Sequence, residues 1–259
     1  MDWRGMLFLS AAMGVSSAGA DTIMAAQYAT PVERYGHFAL GRPHEYARVV
    51  ATTGDGRQLS LDLPEDEVFE DLVPRRVQLA AGEATLLLAI VSQRERGGRL
   101  VLIGLQAGAL AIVAQSPPIG IPNRWLNPVA VTDLDGDGRA EIAAVITPHL
   151  AGPLKVYRRE GAQLVEVAAL PGFSNHVFSS TELGLAAPMQ IDGKPRLLVP
   201  DARREQLRII AFEQGRLVEV GRCALASPIV GAIQSVSARE VTVGLRSGRA
   251  LMTPGDCVK

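Results

Sequence analysis

The chain has 259 residues, of which 47% are hydrophobic and 20% are charged, a composition typical of a folded globular protein. Its 26 Lys and Arg residues nearly balance its 27 Asp and Glu residues, so that the formal net charge is −1. Because the basic residues are scattered and give no cationic field, we expect no nucleic-acid partner.

The first twenty residues predict a cleaved signal peptide. Arg4 supplies a positive start, residues 6–15 form an apolar stretch, and Ala18-Gly19-Ala20 gives the small-residue cleavage pattern. A buried N-terminal helix is the alternative interpretation. No other apolar stretch approaches the roughly 20 residues of a membrane span, so we expect no membrane insertion of the mature chain. We expect a periplasmic or secreted monomer.

The mature chain, residues 21–259, is predicted to consist of short β-strands. Residues 36–41, 45–53, 57–63 and 67–72 make a first set of four, with Gly54-Asp55-Gly56 as its central turn. Three similar units then begin at Arg75, Asn127 and Ala187, and each repeats four short apolar runs in the same order. Their turn glycines at positions 108, 161 and 215 are 53 and 54 residues apart. A final unit offers three strands.

These repeats predict an all-β fold, a β-propeller of about five four-stranded blades. The approximate blades are residues 32–74, 75–126, 127–185, 186–230 and 231–259. The last blade is one strand short, and we expect residues 22–29 near the mature start to close the ring by pairing with it. A β-sandwich is the structural alternative, but the nearly equal spacing of the repeats argues against it.

An acidic loop in the second repeat predicts one bound Ca²⁺. Residues 133–141 read DLDGDGRAE and place carboxylates at positions 1, 3, 5 and 9, which suits an ion that takes six to eight oxygen ligands. A solvated acidic turn without metal is the alternative. The predicted ligands, with Arg139 contributing its backbone carbonyl, are Asp133, Asp135, Asp137, Arg139 and Glu141.

The loop opens like an EF-hand, yet position 12 is Ala144 instead of a bidentate Glu, and both flanks predict strands rather than helices. With its flanks, VAVTDLDGDGRAEIAAV, it resembles the FG-GAP/VCBS repeat of integrin α-like propellers. That resemblance implies a propeller blade and a structural Ca²⁺. The equivalent loops of the neighbouring units, AAGEA and IDGKPR, lack the acidic set, so we expect a single ion.

Two long connections, residues 119–127 and 171–182, predict a partner-binding surface because they combine aromatic side chains with an arginine. The alternative is that their aromatic residues fill the gap between blades. The candidate binding residues are Arg124, Trp125, Phe173, Asn175, His176 and Phe178. In an oxidising compartment Cys223 and Cys257 can form a disulfide, with two separate thiols as the alternative.

No catalytic motif is present: the sequence has no GxSxG elbow, HExxH, Walker loop or GxGxxG. The four histidines share no metal-ligand spacing. We therefore expect a non-enzymatic, Ca²⁺-binding module that contacts an unknown protein or glycan. The alternative is a polysaccharide hydrolase or lyase that acts through the same two connections.

Overall fold

The computed structural model describes residues 22–258, and the predicted signal peptide lies outside them. The regular secondary structure of these residues is almost entirely β-strand, and the predicted all-β class is confirmed. No helix in this part of the chain is long and apolar enough to span a membrane. The strands are β1 (Ile23–Val32), β2 (Glu45–Thr53), β3 (Gln58–Asp62), β4 (Glu67–Phe69), β5 (Arg75–Val77), β6 (Leu86–Gln93), β7 (Gly97–Gln106), β8 (Ala109–Gln115), β9 (Leu126–Thr132), β10 (Glu141–Ile146), β11 (Leu154–Glu160), β12 (Gln163–Leu170), β13 (Ala187–Ile191), β14 (Lys194–Pro200), β15 (Gln206–Glu213), β16 (Arg216–Ala224), β17 (Ile229–Ser235), β18 (Val241–Leu245) and β19 (Gly248–Met252). Two short 3-10 helices are η1 (Pro148–Leu150) and η2 (Pro254–Cys257).

Hairpins connect the strands within each repeat. The turn residues before Gly108, Gly193 and Gly215 have positive φ, as do these glycines, which is the type I′ geometry that matches the twist of the flanking strands. A register irregularity recurs in the three outer hairpins, β7–β8, β11–β12 and β15–β16, at equivalent points a few residues before the turn. The repeats seen in the sequence therefore share local geometry.

The prediction of a closed propeller of separate blades is wrong. Hydrogen bonding joins twelve strands, β1 to β12, into one mixed sheet, and only β13–β16 and β17–β19 form sheets of their own. Two pairings merge units that the sequence predicts as separate blades: β4 pairs with β6, and β8 meets β12 in parallel at Gln115 and Gln163. The regular spacing of the repeats indicates that similar strands recur, but it does not indicate which strands pair at their edges.

The predicted closing strand is also wrong. Strand β1 pairs along its length with β2, where Ala26 lies opposite Ala51, and among residues 22–258 no strand pairing links it to β17–β19. The predicted strand at residues 36–41 is absent from the described structure; these residues form turns. Both glycines of that segment have positive φ, which interrupts an extended strand.

Four apolar cores lie between consecutive strand sets. The first core lies between β2 and β6–β7, and the second lies between β6–β7 and β10–β11. The third lies between β10–β11 and β14–β15, and the fourth lies between β14–β15 and β17–β18. Strand β10 is buried at every position, and β6 at all but its last, because cores cover both of their faces. The consecutive apolar runs of the sequence are explained by this double coverage.

Candidate functional site

The acidic loop connects two paired strands, β9 and β10. Leu134 points into the core between β10–β11 and β14–β15 and anchors the loop at its second residue. At the other end, the backbone N–H of Ala140 donates to the carbonyl of Leu79 over 2.6 Å. The exposed part of the loop is therefore held at both ends by the body of the protein.

Carboxylates organise the backbone of the loop. Asp133 accepts hydrogen bonds from the N–H groups of Gly136 at 2.7 Å and Gly138 at 2.9 Å. Both glycines have φ above +80°, a conformation that other residues rarely adopt. Asp137 accepts from the N–H of Arg139 at 2.8 Å, and buried Glu141 accepts from Leu134 at 2.9 Å. The curled path brings alternate side chains to the same side.

Three of the predicted metal ligands converge. One carboxylate oxygen each from Asp133, Asp135 and Glu141 lies within 4.8 Å of the others. Asp137 lies outside this group, and Arg139 extends its exposed side chain toward Glu83 at 3.9 Å.

An arginine that the sequence did not single out completes the cluster. Arg158 of β11 donates from Nη2 to Asp135 Oδ2 at 2.6 Å and to Glu141 Oε1 at 2.8 Å. Its Nε also donates to Glu141 Oε1, at 3.1 Å, and these hydrogen bonds raise the pKa of Arg158. Glu141 is fully buried, so the guanidinium compensates a carboxylate that water does not reach.

The residues present fit a Ca²⁺ ion. Oxygens bound to one Ca²⁺ at about 2.3–2.6 Å lie at most about 5 Å apart, which matches the spread of this group. The three converging carboxylates carry −3 and Arg158 carries +1, which leaves −2 for a divalent ion to offset. Arg158 engages one oxygen each of Asp135 and Glu141, and each carboxylate has further lone pairs.

The predicted partner surface is mostly buried. Trp125, Phe173, Asn175 and His176 are at most 1% exposed, Arg124 is partly exposed, and only Phe178 is largely exposed, at 52%. Phe173 packs in a core and under the guanidinium of Arg208, 4.0 Å from its ring centre. The alternative interpretation, that aromatic residues of these connections fill gaps in the fold, therefore holds for Trp125 and Phe173, which pack in the cores between strand sets.

Asn175 holds the connection of residues 171–182 against β9 through hydrogen bonds. Its side-chain amide donates to the backbone carbonyl of Asn127, and the Asn127 amide donates back to the carbonyl of Asn175, at 3.1 and 3.2 Å. This reciprocal pair is fully buried, so its hydrogen bonds fix the path of residues 171–182.

Buried His176 pairs with half-buried His149, whose Nε2 lies 2.7 Å from Nδ1 of His176. The Nε2 of His176 contacts the carbonyl of Ser180 at 2.9 Å and must carry the proton, because a carbonyl only accepts. Nδ1 of neutral His176 is then the acceptor, and His149 is the donor. Trp125 stacks parallel to His149 and meets His176 edge-on.

Both imidazoles are kept neutral. Burial lowers the pKa of His149 to about 4, with a further contribution from His176 beside it. Burial also lowers the pKa of His176 to about 4, against the opposing hydrogen bond to Ser180. At neutral pH the pair is a hydrogen-bonded contact between two uncharged rings.

A second polar group contacts the indole of Trp125. Glu70, almost fully buried, accepts from Ser92 at 2.5 Å and contacts Nδ1 of His37 at 2.5 Å, and its carbonyl accepts from the indole of Trp125 at 2.8 Å. Burial raises the pKa of Glu70. The hydroxyl of Ser92 donates to the carboxylate and not to the imidazole, so these three residues lack the Ser-to-His contact of a hydrolase triad.

The sequence did not predict that His149 contacts His176, or that His37, Glu70 and Ser92 form a group beside Trp125. These residues come from separate segments, and no short-range spacing connects them. In the sequence, Glu70 and Asp71 follow the apolar pair Val68-Phe69 directly, and the structure buries both acids, an unusual position for paired carboxylates.

The structure joins Cys223 of β16 to Cys257 of η2 through a disulfide. Their Cα atoms are 5.4 Å apart, and the bridge closes a loop with a sequence separation of 34 residues. It ties the C-terminal segment against β16, where Gly221 also bridges to Val258.

A cleft of about 970 Å³ opens between the strand set β5–β8 and the set β9–β12. The two sets diverge from the single parallel rung at Gln115 and Gln163, and residues 116–119 border the opening. Leu126, Ile146 and Tyr157 contribute apolar surface, while Arg99 and Glu67 form an ion pair at 2.9 Å on the wall. The volume is in the range of small-ligand sites, about 300–1,000 Å³.

No model of a known protein family matches the chain, and no curated protein matches it. The resemblance to the FG-GAP/VCBS repeat therefore stays a prediction that rests on the residues of the loop and its flanks.

Proposed function

We propose that this chain is a non-catalytic, Ca²⁺-binding all-β module that works outside the cytoplasm and binds a protein or glycan. The observation that carries the proposal is the convergence of Asp133, Asp135 and Glu141 within 4.8 Å. Carboxylate oxygens are the ligands that Ca²⁺ prefers, and their spread matches its coordination distances.

The ion's role in this proposal is structural. Bound Ca²⁺ offsets the repulsion among the carboxylates. The chain's own groups hold the loop in shape, through the N–H bonds to Asp133 and the burial of Leu134 and Glu141. Loops shaped in this way need bind only at about 10⁻⁴ to 10⁻³ M in compartments rich in calcium.

Two observations support a location outside the cytoplasm. The disulfide between Cys223 and Cys257 is a type of bond that persists in oxidising compartments. The first twenty residues have the pattern of a signal peptide.

The experiment is thermal unfolding in 10 mM CaCl₂ and in EDTA. We expect Ca²⁺ to raise the Tm of the wild-type protein, and Asp135→Asn to lose most of that rise because one carboxylate of the group is removed. Asp192→Asn is the matched control: Asp192 also precedes a turn glycine and is exposed, but it belongs to no acidic group. Equal Ca²⁺ responses in the two variants would overturn the proposal.

A further inference from the structure

We propose that the cleft between the β5–β8 and β9–β12 strand sets binds a short acidic saccharide, one that carries carboxylates on its sugar rings. This inference deepens the binding role proposed above and rests on it for the protein's general purpose. The floor, the wall and the net charge of the cleft each favour such a ligand.

The floor of the cleft presents a tyrosine side chain whose hydroxyl is open to a ligand. Tyr157 is only 6% exposed and lines the cleft together with Leu126 and Ile146. Its hydroxyl makes no hydrogen bond to another described residue; burial, followed by the nearby Glu166 carboxylate, raises its pKa. This hydroxyl is free to bond a ligand in the cleft, and a tyrosine ring with a polar tip suits a pyranose, which has an apolar face and hydroxyl edges.

The wall presents polar groups that are already oriented. Arg99, 8% exposed, is fixed by Glu67 at 2.9 Å and by the side-chain oxygen of Gln115 at 2.9 Å. Opposite, Lys155 and Glu166 pair at 2.6 Å. Such paired side chains keep spare donors and acceptors without rotating, so a ligand rich in hydroxyl groups can be bound at little entropic cost.

The charge balance favours a carboxylate. Three cations (Arg96, Arg99 and Lys155) and two anions (Glu67 and Glu166) line the cleft, for a net charge of +1. Arg99 and Lys155 have carboxylate partners, whereas the exposed guanidinium of Arg96 makes no ion pair among residues 22–258. Arginine binds carboxylates through two parallel hydrogen bonds, which makes Arg96 the group that would recognise the acid.

The packing of the border residues preserves the opening. Strand β7 starts with two glycines because the connection after β8 lies directly on it: a Cβ on Gly97 would come within 2.3 Å of the carbonyl of Ile121. Pro117 and Pro118 stiffen the same border. The opening therefore has rigid sides, as expected for a preformed ligand site.

The test is isothermal titration calorimetry of the purified protein with trigalacturonate and, separately, with its fully methyl-esterified form. EDTA is present throughout, so that calcium bridging contributes nothing. We expect the acid to bind at one site and about tenfold more tightly than the neutral ester, the effect of one charge-assisted contact. Failure of trigalacturonate to bind, or equal affinity for acid and ester, would overturn the proposal.

Two variants locate the site. Tyr157→Phe should weaken both ligands about fivefold, because it removes one hydrogen bond and leaves the ring. Arg96→Gln should weaken the acid about tenfold and leave the ester almost unchanged. Arg216→Gln, an exposed arginine that does not line the cleft, is the matched control. Wild-type affinity in both cleft variants would place binding elsewhere and overturn the assignment.

The result of the saccharide titration can be distinguished from the result of the calcium experiment. Asp135→Asn should bind trigalacturonate like the wild type, since Asp135 does not line the cleft. If the protein fails to bind calcium while the trisaccharide binds, the calcium role is overturned and the cleft assignment stands; the reverse result overturns the cleft assignment alone.

Discussion

Arg158 is the residue whose removal best separates the loop's own stability from that supplied by calcium. Arg158→Gln deletes three hydrogen bonds, two to buried Glu141 and one to Asp135. Breaking a buried ion pair costs about 3–5 kcal/mol, and because the Arg158 side chain is 31% exposed we expect about 2–3 kcal/mol in EDTA. The same change takes the net charge of the three converging carboxylates and residue 158 from −2 to −3, which strengthens the attraction for Ca²⁺.

Calcium should therefore rescue this variant. For a Kd of about 10⁻³ to 10⁻⁴ M, 10 mM Ca²⁺ stabilises the wild-type fold by about 1.4–2.7 kcal/mol. We expect about 1 kcal/mol more for Arg158→Gln, because one opposing charge near the ion is gone. With roughly 2–4 °C in Tm for each kcal/mol in a chain of this size, the variant should melt about 4–12 °C below the wild type in EDTA, and closer to it in Ca²⁺.

The assay is differential scanning calorimetry in both buffers. Arg159→Gln is the matched control, since the neighbouring arginine makes only an exposed hydrogen bond to the carbonyl of Gly161. Equal destabilisation of Arg158→Gln in EDTA and in Ca²⁺ would refute the reasoning, because it would mean that Arg158 and calcium do not act on the same carboxylates. A loss no larger than that of Arg159→Gln would refute the role given to the ion pair.

Three further predictions concern the rest of the fold. The pKa values of His149 and His176, about 4 when folded, lie below the unfolded value of 6.5, so the unfolded chain binds more protons between these pH values. The free energy of unfolding should therefore fall as the pH is lowered from 6.5 toward 4, by at most about 3 kcal/mol for His176. A series of denaturation curves at constant ionic strength measures this, and a free energy of unfolding that does not fall would contradict the prediction. Cys223→Ser should lower the free energy of unfolding by about 2–4 kcal/mol through the lost disulfide, and wild-type stability under non-reducing conditions would show that the bridge contributes nothing. Trp125→Phe removes the indole donor to the carbonyl of Glu70 and leaves space among buried rings, so urea denaturation should show a loss of about 2–3 kcal/mol; a loss below about 0.5 kcal/mol would contradict the packing described.

The features that local sequence determines could be predicted. Strand runs, hairpin turns such as that at Gly108, and the carboxylate spacing from Asp133 to Glu141 all depend on residues a few positions apart. In the structure, the chain is all-β, and the loop is curled with three converging carboxylates.

The features that depend on contacts between distant parts of the chain could not be predicted from the sequence. The predicted blades merge into one sheet because β4 pairs with β6 and because Gln115 of β8 pairs with Gln163 of β12. The spacing of the repeats in the sequence indicates neither pairing. The same holds for the contact between His149 and His176 and for the role of Arg158, which reaches the loop from a strand 17 residues beyond Glu141. The sequence left open whether the aromatic residues of the two connections are exposed or fill gaps in the fold, and the structure buries Trp125 and Phe173.

Direct titration of calcium into the metal-free protein tests the central claim most simply. Isothermal titration calorimetry should give one site per chain with a Kd of about 10⁻⁴ to 10⁻³ M, and no measurable site in the double variant Asp133→Asn, Asp135→Asn. The account is contradicted if the wild-type protein binds no calcium in this range, or if the double variant binds it as the wild type does.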